Sequence, residues 1–310
     1  MGEKRIEWID TAKGIGIVLV VVGHTSFVPK AMINLIFAFH MPLFFFLSGC
    51  VYKKKSNYYY LQAKDLLLKY IIISCVFSFT YSLISGGGYT NYIRALITSE
   101  WIENDPAIPL WFLGSLYIVK CLFHKICNIR YKQMIICSLI TMGFMLSQLS
   151  FPIRILNSAL VGLLYYWLGF LERQNEWIGR YDKTQLKLIG VASFGVVVFI
   201  ATINGRVDMN QGDYHNILLF IVGSISGIIA IVAVSTTILN KSRLLSLLGR
   251  NSMSIYLLHM YTVVIMQCLE SKIGIDLNLT TKIINKLASF MIMGFVIWMK
   301  ERNKTKERQT

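Results

Sequence analysis

Long apolar runs separated by short charged clusters make up most of the chain, from Thr11 to Trp298. A bilayer core of about 30 Å needs roughly 20 apolar residues as helix, because lipid offers no partner for unpaired backbone groups. The pattern predicts an all-α integral membrane protein with about ten transmembrane helices in one bundle, forming a single domain over residues 1–310. The predicted spans are Thr11–Val28, Met32–Tyr52, Leu66–Ser85, Pro109–Cys127, Met134–Ser150, Ile153–Leu171, Leu186–Asn204, Ile217–Leu239, Ser252–Leu269 and Ile284–Trp298.

Composition excludes an ordinary cytosolic enzyme. Hydrophobic residues make up 55% and charged residues 15% of the 310 residues, whereas soluble chains carry roughly a quarter charged residues. The net charge of +15 would suggest nucleic-acid binding in a soluble protein, but here the basic residues cluster between apolar runs. They fit the positive-inside rule with both termini cytoplasmic. We therefore expect membrane lipids as surroundings and no nucleic-acid partner, with the first apolar run retained as a span.

Cysteine spacing predicts neither a disulfide framework nor a metal site. The cysteines nearly all fall inside apolar runs, and no CxxC pair or zinc-type Cys/His spacing is present in the sequence. We expect no metal cofactor.

Ionisable side chains within predicted spans are costly in lipid, so each is a candidate functional residue. Those expected to be buried or half-buried are His24, His40, Lys69, Lys120 and His259, and no predicted span has Asp or Glu near its middle. Cation-coupled transporters usually need a membrane carboxylate. This set favours an anionic ligand instead, although Lys69 and Lys120 also fit snorkelling and His259 a structural role.

Lys13 and His24 share one face of the first predicted helix. They are eleven residues apart, almost three turns, which places them about 16 Å apart along the axis. Gly16 lies on the same stripe and permits close approach to the backbone. The pantetheine arm of coenzyme A has about this length, so phosphates near Lys13 would place a thioester near His24. The alternative is a cytoplasmic anchor at Lys13 and a packing histidine at His24.

Four motifs carry a family resemblance. They are Trp8 to His24 (WIDTAKGIGIVLVVVGH), Phe39 to Gly49 (FHMPLFFFLSG), Pro109 to Leu113 (PLWFL) and Leu248 to His259 (LGRNSMSIYLLH). Together they resemble the membrane acyltransferase 3 family over essentially the whole chain. The similarity is greatest to its branch of fucose 4-O-acetylase-like sugar O-acetyltransferases.

The resemblance implies a bacterial inner-membrane O-acyltransferase that uses cytoplasmic acetyl-CoA to acetylate a sugar hydroxyl on a cell-surface polysaccharide or its lipid-linked precursor. It implies that His24 is essential and that Lys13 contacts the acyl donor or orients the site. Most members carry Arg at the Lys13 position, and Lys keeps the charge but loses the bidentate fork. Lys64 matches one position of a second basic pair, while Leu67 and Lys69 depart from that pattern.

The mechanism that follows is general-base catalysis. A neutral His24 imidazole would take the proton of a sugar hydroxyl as it attacks the thioester, and apolar walls would favour the neutral ring. Ser26 and Ser48 are candidates for stabilising the oxyanion. A rival hypothesis is a non-enzymatic permease or flippase for a lipid-linked sugar or small polar solute, with the Lys13 and His24 stripe as its binding face.

Two further residues are candidates for binding the acceptor. His40 lies two residues before Pro42 in the second predicted span, where it either lines the site or bonds into the kink that Pro42 causes. Trp111 lies near a predicted interface, where it either stacks on a sugar ring or belongs to an aromatic belt.

Overall fold

The structure is a computed structural model that describes residues 6–25, 28–85, 92–98, 100–101, 105–149, 151–274 and 278–307. Within these ranges the fold is all-helical, as predicted, apart from one isolated bridge between Asp208 and Asp213. The α-helices are α1 (Glu7–Gly23), α2 (Lys30–Cys50), α3 (Tyr58–Gln62), α4 (Leu68–Ser85), α5 (Tyr92–Thr98), α6 (Trp111–Ile126), α7 (Lys132–Gln148), α8 (Arg154–Asn175), α9 (Lys183–Asn204), α10 (Ile217–Thr237), α11 (Arg243–Arg250), α12 (Ser252–Lys272) and α13 (Leu279–Glu307). A π-helical turn (Ala63–Leu67) joins α3 to α4, and 3-10 turns (Ile108–Leu110 and Ile178–Arg180) precede α6 and α9.

Each predicted span overlaps a helix, but the helices differ in length. Within the described ranges, 7 helical segments are long and apolar enough to cross a membrane: Lys30–Cys50, Tyr58–Ile84, Arg154–Asn175, Lys183–Asn204, Ile217–Thr237, Ser252–Lys272 and Thr280–Lys300. The other three, α1, α6 and α7, have 17, 16 and 17 residues, at or just below the lower end of the range for a spanning helix. A count of about ten spans, with both termini cytoplasmic, therefore stays a prediction.

Several helices begin at side chains that cap their first turn. Asp182 accepts hydrogen bonds from the backbone N–H groups of Thr184 and Gln185, and the Gln185 side chain accepts from Asp182 N–H in return, which makes a capping box for α9. Asn216 caps α10 and Ser242 caps α11 through single side-chain bonds. These polar caps fix where α9, α10 and α11 begin.

The bundle is built around α1, α2, α8 and α10. Helix α2 packs on α8 and α10, α8 also contacts α6 and α7, and α10 pairs with α9. Helix α1 lies against α2, α10, α11 and α12. The short α11, which the apolar pattern did not predict as a separate helix, runs along the N-terminal half of α1.

Glycine permits backbone contact at two of these interfaces. A Cβ added at Gly14 would overlap the carbonyl oxygen of Leu245, and one at Gly249 would overlap that of Asp10, which ties α1 to α11. Between α2 and α8, Cβ atoms at Gly49 and Gly169 would overlap the carbonyl oxygens of Tyr166 and Phe46. At both interfaces the helices pack at a distance that any larger residue would prevent.

The segment between α9 and α10, residues 205–216, folds back over one end of the bundle. Its ends are joined because the Asn204 side chain donates to the Tyr214 carbonyl at 3.2 Å and accepts from Asn216 N–H at 3.0 Å. Its middle is held to α8, where the Ser158 hydroxyl donates to the Met209 carbonyl at 2.6 Å. This loop, 205–216, closes the end of the bundle at which α1 stops.

Candidate functional site

A cavity of about 180 Å³ lies where α1 ends, α6 begins and loop 205–216 covers the bundle. Helices α2 and α12 complete its walls. The side chains that carry chemistry in its lining are His24, His40, Trp111, Arg206, Asp208 and Tyr256. The structure therefore brings together three of the residues predicted from sequence, His24, His40 and Trp111, although they come from three helices.

His24 is the residue immediately after α1, and its ring forms part of the cavity wall. Its backbone N–H still bonds to the Val20 carbonyl at 3.2 Å, so the imidazole is carried on the end of a regular helix. The side chain is half-buried. The Phe37 ring meets it edge-on with centroids 5.8 Å apart, and the His259 ring lies at 5.3 Å.

His40 lies in the middle of α2 and is 4% exposed. Its Nδ1 donates to the carbonyl of Ile36 at 2.9 Å, whereas the carbonyl that Pro42 leaves free is that of Ala38, four residues before it. His40 therefore lines the cavity and bonds to a neighbouring carbonyl of its own helix, not to the one released by the proline.

Arg206 and Asp208 give the cavity its charged lining. The Arg206 guanidinium lies 4.4 Å from the centroid of the Phe37 ring, a cation–π contact, and 3.9 Å from the Asp208 carboxylate. Asp208 also accepts from the backbone N–H groups of Asn210 at 3.0 Å and Gln211 at 3.3 Å. Burial raises the pKa of the Asp208 carboxyl above its ordinary value, against the opposing effect of these N–H groups and of Arg206.

The residues predicted to hold the acyl donor lie away from this cavity. Lys13 is about 16 Å from His24 along α1, half-exposed, and close enough to Lys120 for the two charges to interact. The Lys120 ammonium donates to the Gln62 side chain at 2.9 Å, and Lys64 is exposed on the π-helical turn that follows Gln62. Lys13 and Lys64 thus belong to the same end of the bundle, opposite His24.

Gly16 is enclosed by α2. A Cβ on Gly16 would lie 3.1 Å from the Phe44 ring and 3.2 Å from Leu43 Cδ2. The close approach to the backbone that the sequence predicts at Gly16 is made by these two side chains of α2. One turn further along α1, on the same face of the helix, Val20 lines the cavity.

The two serine candidates for the oxyanion lie elsewhere. Ser48 is two residues from the end of α2, about 12 Å along the helix from His40, and it does not line the cavity. Ser26 lies outside the described residues.

A larger groove of about 280 Å³ runs between α8, α9 and α10. Its lining is apolar except for Glu172, whose carboxylate accepts from Ile178 N–H at 3.3 Å. This groove presents a single carboxylate, whereas the smaller cavity brings His24, His40, Arg206 and Asp208 together, so the smaller cavity is the candidate site. Within the described part of the chain, no cluster of His, Cys, Asp and Glu is arranged to hold a metal ion.

The family profile described as "Acyltransferase domain", of the acyltransferase 3 family, matches residues 6–299. The chain belongs to the acyltransferase 3 family. With its apolar helices, membership indicates a multi-pass membrane acyltransferase. No curated protein and no solved structure matches the chain.

Two basic residues of this acyltransferase lie in places that the sequence did not predict. In the sequence, Arg206 lies between two predicted spans and Lys286 lies near the start of the tenth. Arg206 instead lines the cavity, and Lys286 is 6% exposed within α13. The signal for Lys286 was its position inside the tenth apolar run, Ile284–Trp298, whereas no local pattern distinguishes Arg206.

Lys286 and His259 form a buried polar layer of the acyltransferase behind His24. The Lys286 ammonium has no hydrogen-bond partner within the described residues, and its charge acts on both His24 and His259. His259 is fully buried. The sequence favoured a structural role for His259, and its contact with His24 depends on the packing of α12 against α1.

Proposed function

We propose that this acyltransferase transfers an acetyl group from cytoplasmic acetyl-CoA to a sugar hydroxyl of a cell-surface polysaccharide or its lipid-linked precursor, in a bacterial inner membrane. The observation that carries the proposal is the His24 ring in the wall of a cavity that also presents His40, Arg206 and Trp111. An imidazole beside polar and aromatic side chains suits a sugar hydroxyl that must lose a proton.

In the proposed reaction His24 acts as general base. It takes the proton of the sugar hydroxyl while the hydroxyl oxygen attacks the thioester carbonyl, forming the new C–O bond. The tetrahedral intermediate then breaks its C–S bond, and the proton held by His24 goes to the leaving thiolate. The products are the acetyl ester and free coenzyme A, and His24 returns to its neutral form.

The donor is proposed to enter from the end of the bundle that carries Lys13, Lys64 and Lys120. Its phosphates would meet these ammonium groups, and the distance of about 16 Å from Lys13 to His24 matches the pantetheine arm. Because Phe44 and Leu43 fill the space beside Gly16, the arm would run along another side of α1. The acceptor ring is proposed to lie against Trp111 and His40.

The first test compares the acetate content of cell-surface glycans in cells that carry the intact protein, His24→Ala or Val18→Ala at matched membrane levels. Val18 is on the same helix and 41% exposed, so it serves as the control. We expect loss of about 100-fold or more for His24→Ala, the contribution typical of a general base, and no change for Val18→Ala. Equal acetate in all strains, including one without the gene, would reject acetylation of these glycans and favour transport of a lipid-linked sugar.

A further inference from the structure

His259 has one ring nitrogen engaged and the other open. Its Nδ1 lies 2.6 Å from the Tyr256 carbonyl oxygen; since a carbonyl only accepts, Nδ1 carries the proton. Its Nε2 is buried and has no hydrogen-bond partner among the residues that the structure describes. A proton on Nε2 would be a buried donor without an acceptor. His259 is therefore a neutral ring with an available lone pair.

The His24 ring is a direct neighbour of the His259 ring. The two ring centroids are 5.3 Å apart, with the planes inclined at 42°. Two imidazoles joined by an N–H···N bond of about 2.9 Å have centroids about 5 Å apart. The observed centroid separation is close to that of a bonded pair, and catalytic hydrogen bonds often tighten only when substrate is bound.

A histidine base needs an acceptor for its second N–H. When the base takes a proton it becomes an imidazolium with two donors, and in serine hydrolases a carboxylate receives the donor that faces away from the substrate. Asp10 is about 21 Å from His24 along α1. Asp208 is engaged by two backbone N–H groups and Arg206. His259 Nε2, which is buried without a partner of its own among the described residues, presents an acceptor suited to this role.

We infer that His259 is a positioning residue for the His24 base: its Nε2 accepts the second N–H of His24, holds the bare His24 nitrogen toward the acceptor hydroxyl, and stabilises the imidazolium during transfer. The inference rests on the proposed function. Charged and titratable groups around the pair are His40 on α2, Lys286 on α13 and Arg206 in loop 205–216.

Two amide substitutions separate this role from a structural one. His259→Gln places an amide oxygen near the former Nε2 and keeps an acceptor for His24, but it gives up the bond to Tyr256. His259→Asn places its amide near the former Nδ1, so it keeps the bond to Tyr256 and loses the acceptor. A positioning role predicts that the Gln variant is the more active, whereas a structural role predicts the reverse. His259→Phe removes both bonds and keeps a ring.

The experiment measures transfer of radiolabelled acetate from acetyl-CoA to endogenous glycan in membrane vesicles, per amount of full-length protein, with thermal unfolding as a check on folding. We expect His259→Phe and His259→Asn to lower kcat at least about tenfold with the KM for acetyl-CoA unchanged, and His259→Gln to keep several-fold more activity than His259→Asn. An Asn variant equal to the intact protein, or more active than Gln, overturns the inference. With His24→Ala inactive in the same vesicles, that result leaves the proposed function standing; an active His24→Ala overturns both.

Discussion

His24 differs from the other two histidines near the cavity in what its side chain bonds to. The Nδ1 atoms of His40 and His259 are each tied to a carbonyl of their own helix. No side-chain hydrogen bond of His24 is present within the described part of the chain. A ring at the end of α1, half-buried and not committed to a carbonyl, is free to exchange a proton with a ligand. A histidine within a helix can instead bond to a carbonyl of its own helix, as His40 and His259 do.

A second residue of interest is Asp105, which lies between α5 and α6 and is 2% exposed. Its carboxylate accepts from the Ser78 hydroxyl at 3.1 Å and from Ala107 N–H at 2.7 Å. Burial raises the pKa of the Asp105 carboxyl above its ordinary value, and these two bonds oppose the shift. Because this pKa is higher in the folded than in the unfolded state, Asp105 favours folding at low pH, and that contribution is lost as pH rises through its folded pKa.

We expect Asp105→Asn to be as stable as the intact protein or more stable at pH 7, because the amide oxygen still accepts both bonds without a buried charge. Asp105→Leu should lower the free energy of unfolding by about 1–3 kcal/mol, since two buried donors lose their acceptor. Thermal unfolding in detergent between pH 4 and 7 checks both, and the advantage of Asn should grow with pH. A difference in stability between Asp105→Asn and the intact protein that does not change with pH would contradict a raised pKa of Asp105.

At the scale of helices, the two glycine interfaces set how closely elements approach. Helix α11 has only 8 residues, too few to form a stable helix alone. It depends on its contact with α1, where Gly249 and Gly14 let the backbones touch. This contact also orients α12, which begins two residues after α11 ends and carries His259. Packing at one end of the bundle therefore helps to fix His259, which contacts His24 of the cavity at the other end.

Gly249→Ala is expected to destabilise the protein by about 1–3 kcal/mol or more, because its Cβ would overlap a backbone carbonyl that cannot move aside. Gly195→Ala on α9 is the matched control, since nothing lies within 4 Å of its added Cβ. That change should be neutral or slightly stabilising, as helix propensity favours Ala. Thermal unfolding of the two variants in one detergent measures the difference, and equal melting temperatures would argue against close α1–α11 packing.

Over the whole molecule, the start of α1 and the distal part of α13 lie near the same junction. Asp10 meets Gly249 at the end of α11, and the Lys300 ammonium bonds to the Ser254 hydroxyl at 3.1 Å. An even number of membrane crossings would bring the two ends together in this way. The positive-inside pattern predicts that this side is the cytoplasm.

Labelling of single cysteines tests this orientation. In a variant without native cysteines, Lys54→Cys and Gln211→Cys are both at exposed positions, in the segment after α2 and in loop 205–216. We expect a membrane-impermeant maleimide added to intact cells to label Gln211→Cys alone, and Lys54→Cys only after permeabilisation. The opposite result would invert the topology and place the His24 cavity on the cytoplasmic side.

The helices can be predicted because each apolar run is a local feature of the sequence. Which helices pack against each other cannot be predicted in this way. The sequence marked His24, His40 and Trp111 through motifs, and the structure gathers them in one cavity. It did not mark Arg206 or the contact of His259 with His24, because those depend on how distant segments pack. For the same reason, the residues of α1 predict a close approach at Gly16 but do not reveal that Phe44 of α2 makes it.

The glycine contacts also make the two ends of the bundle differ in how closely their helices pack. Gly14, Gly49, Gly169 and Gly249, whose added Cβ atoms would each overlap a carbonyl oxygen, belong to the end that carries Lys13. At that end backbones touch directly, so the helices cannot part by rearranging side chains. Around His24 the helices are separated by rings and a cavity, which leaves them room to lean apart. We therefore expect the bundle to be rigid at the end where the donor would bind and more deformable at the end where an acceptor would enter.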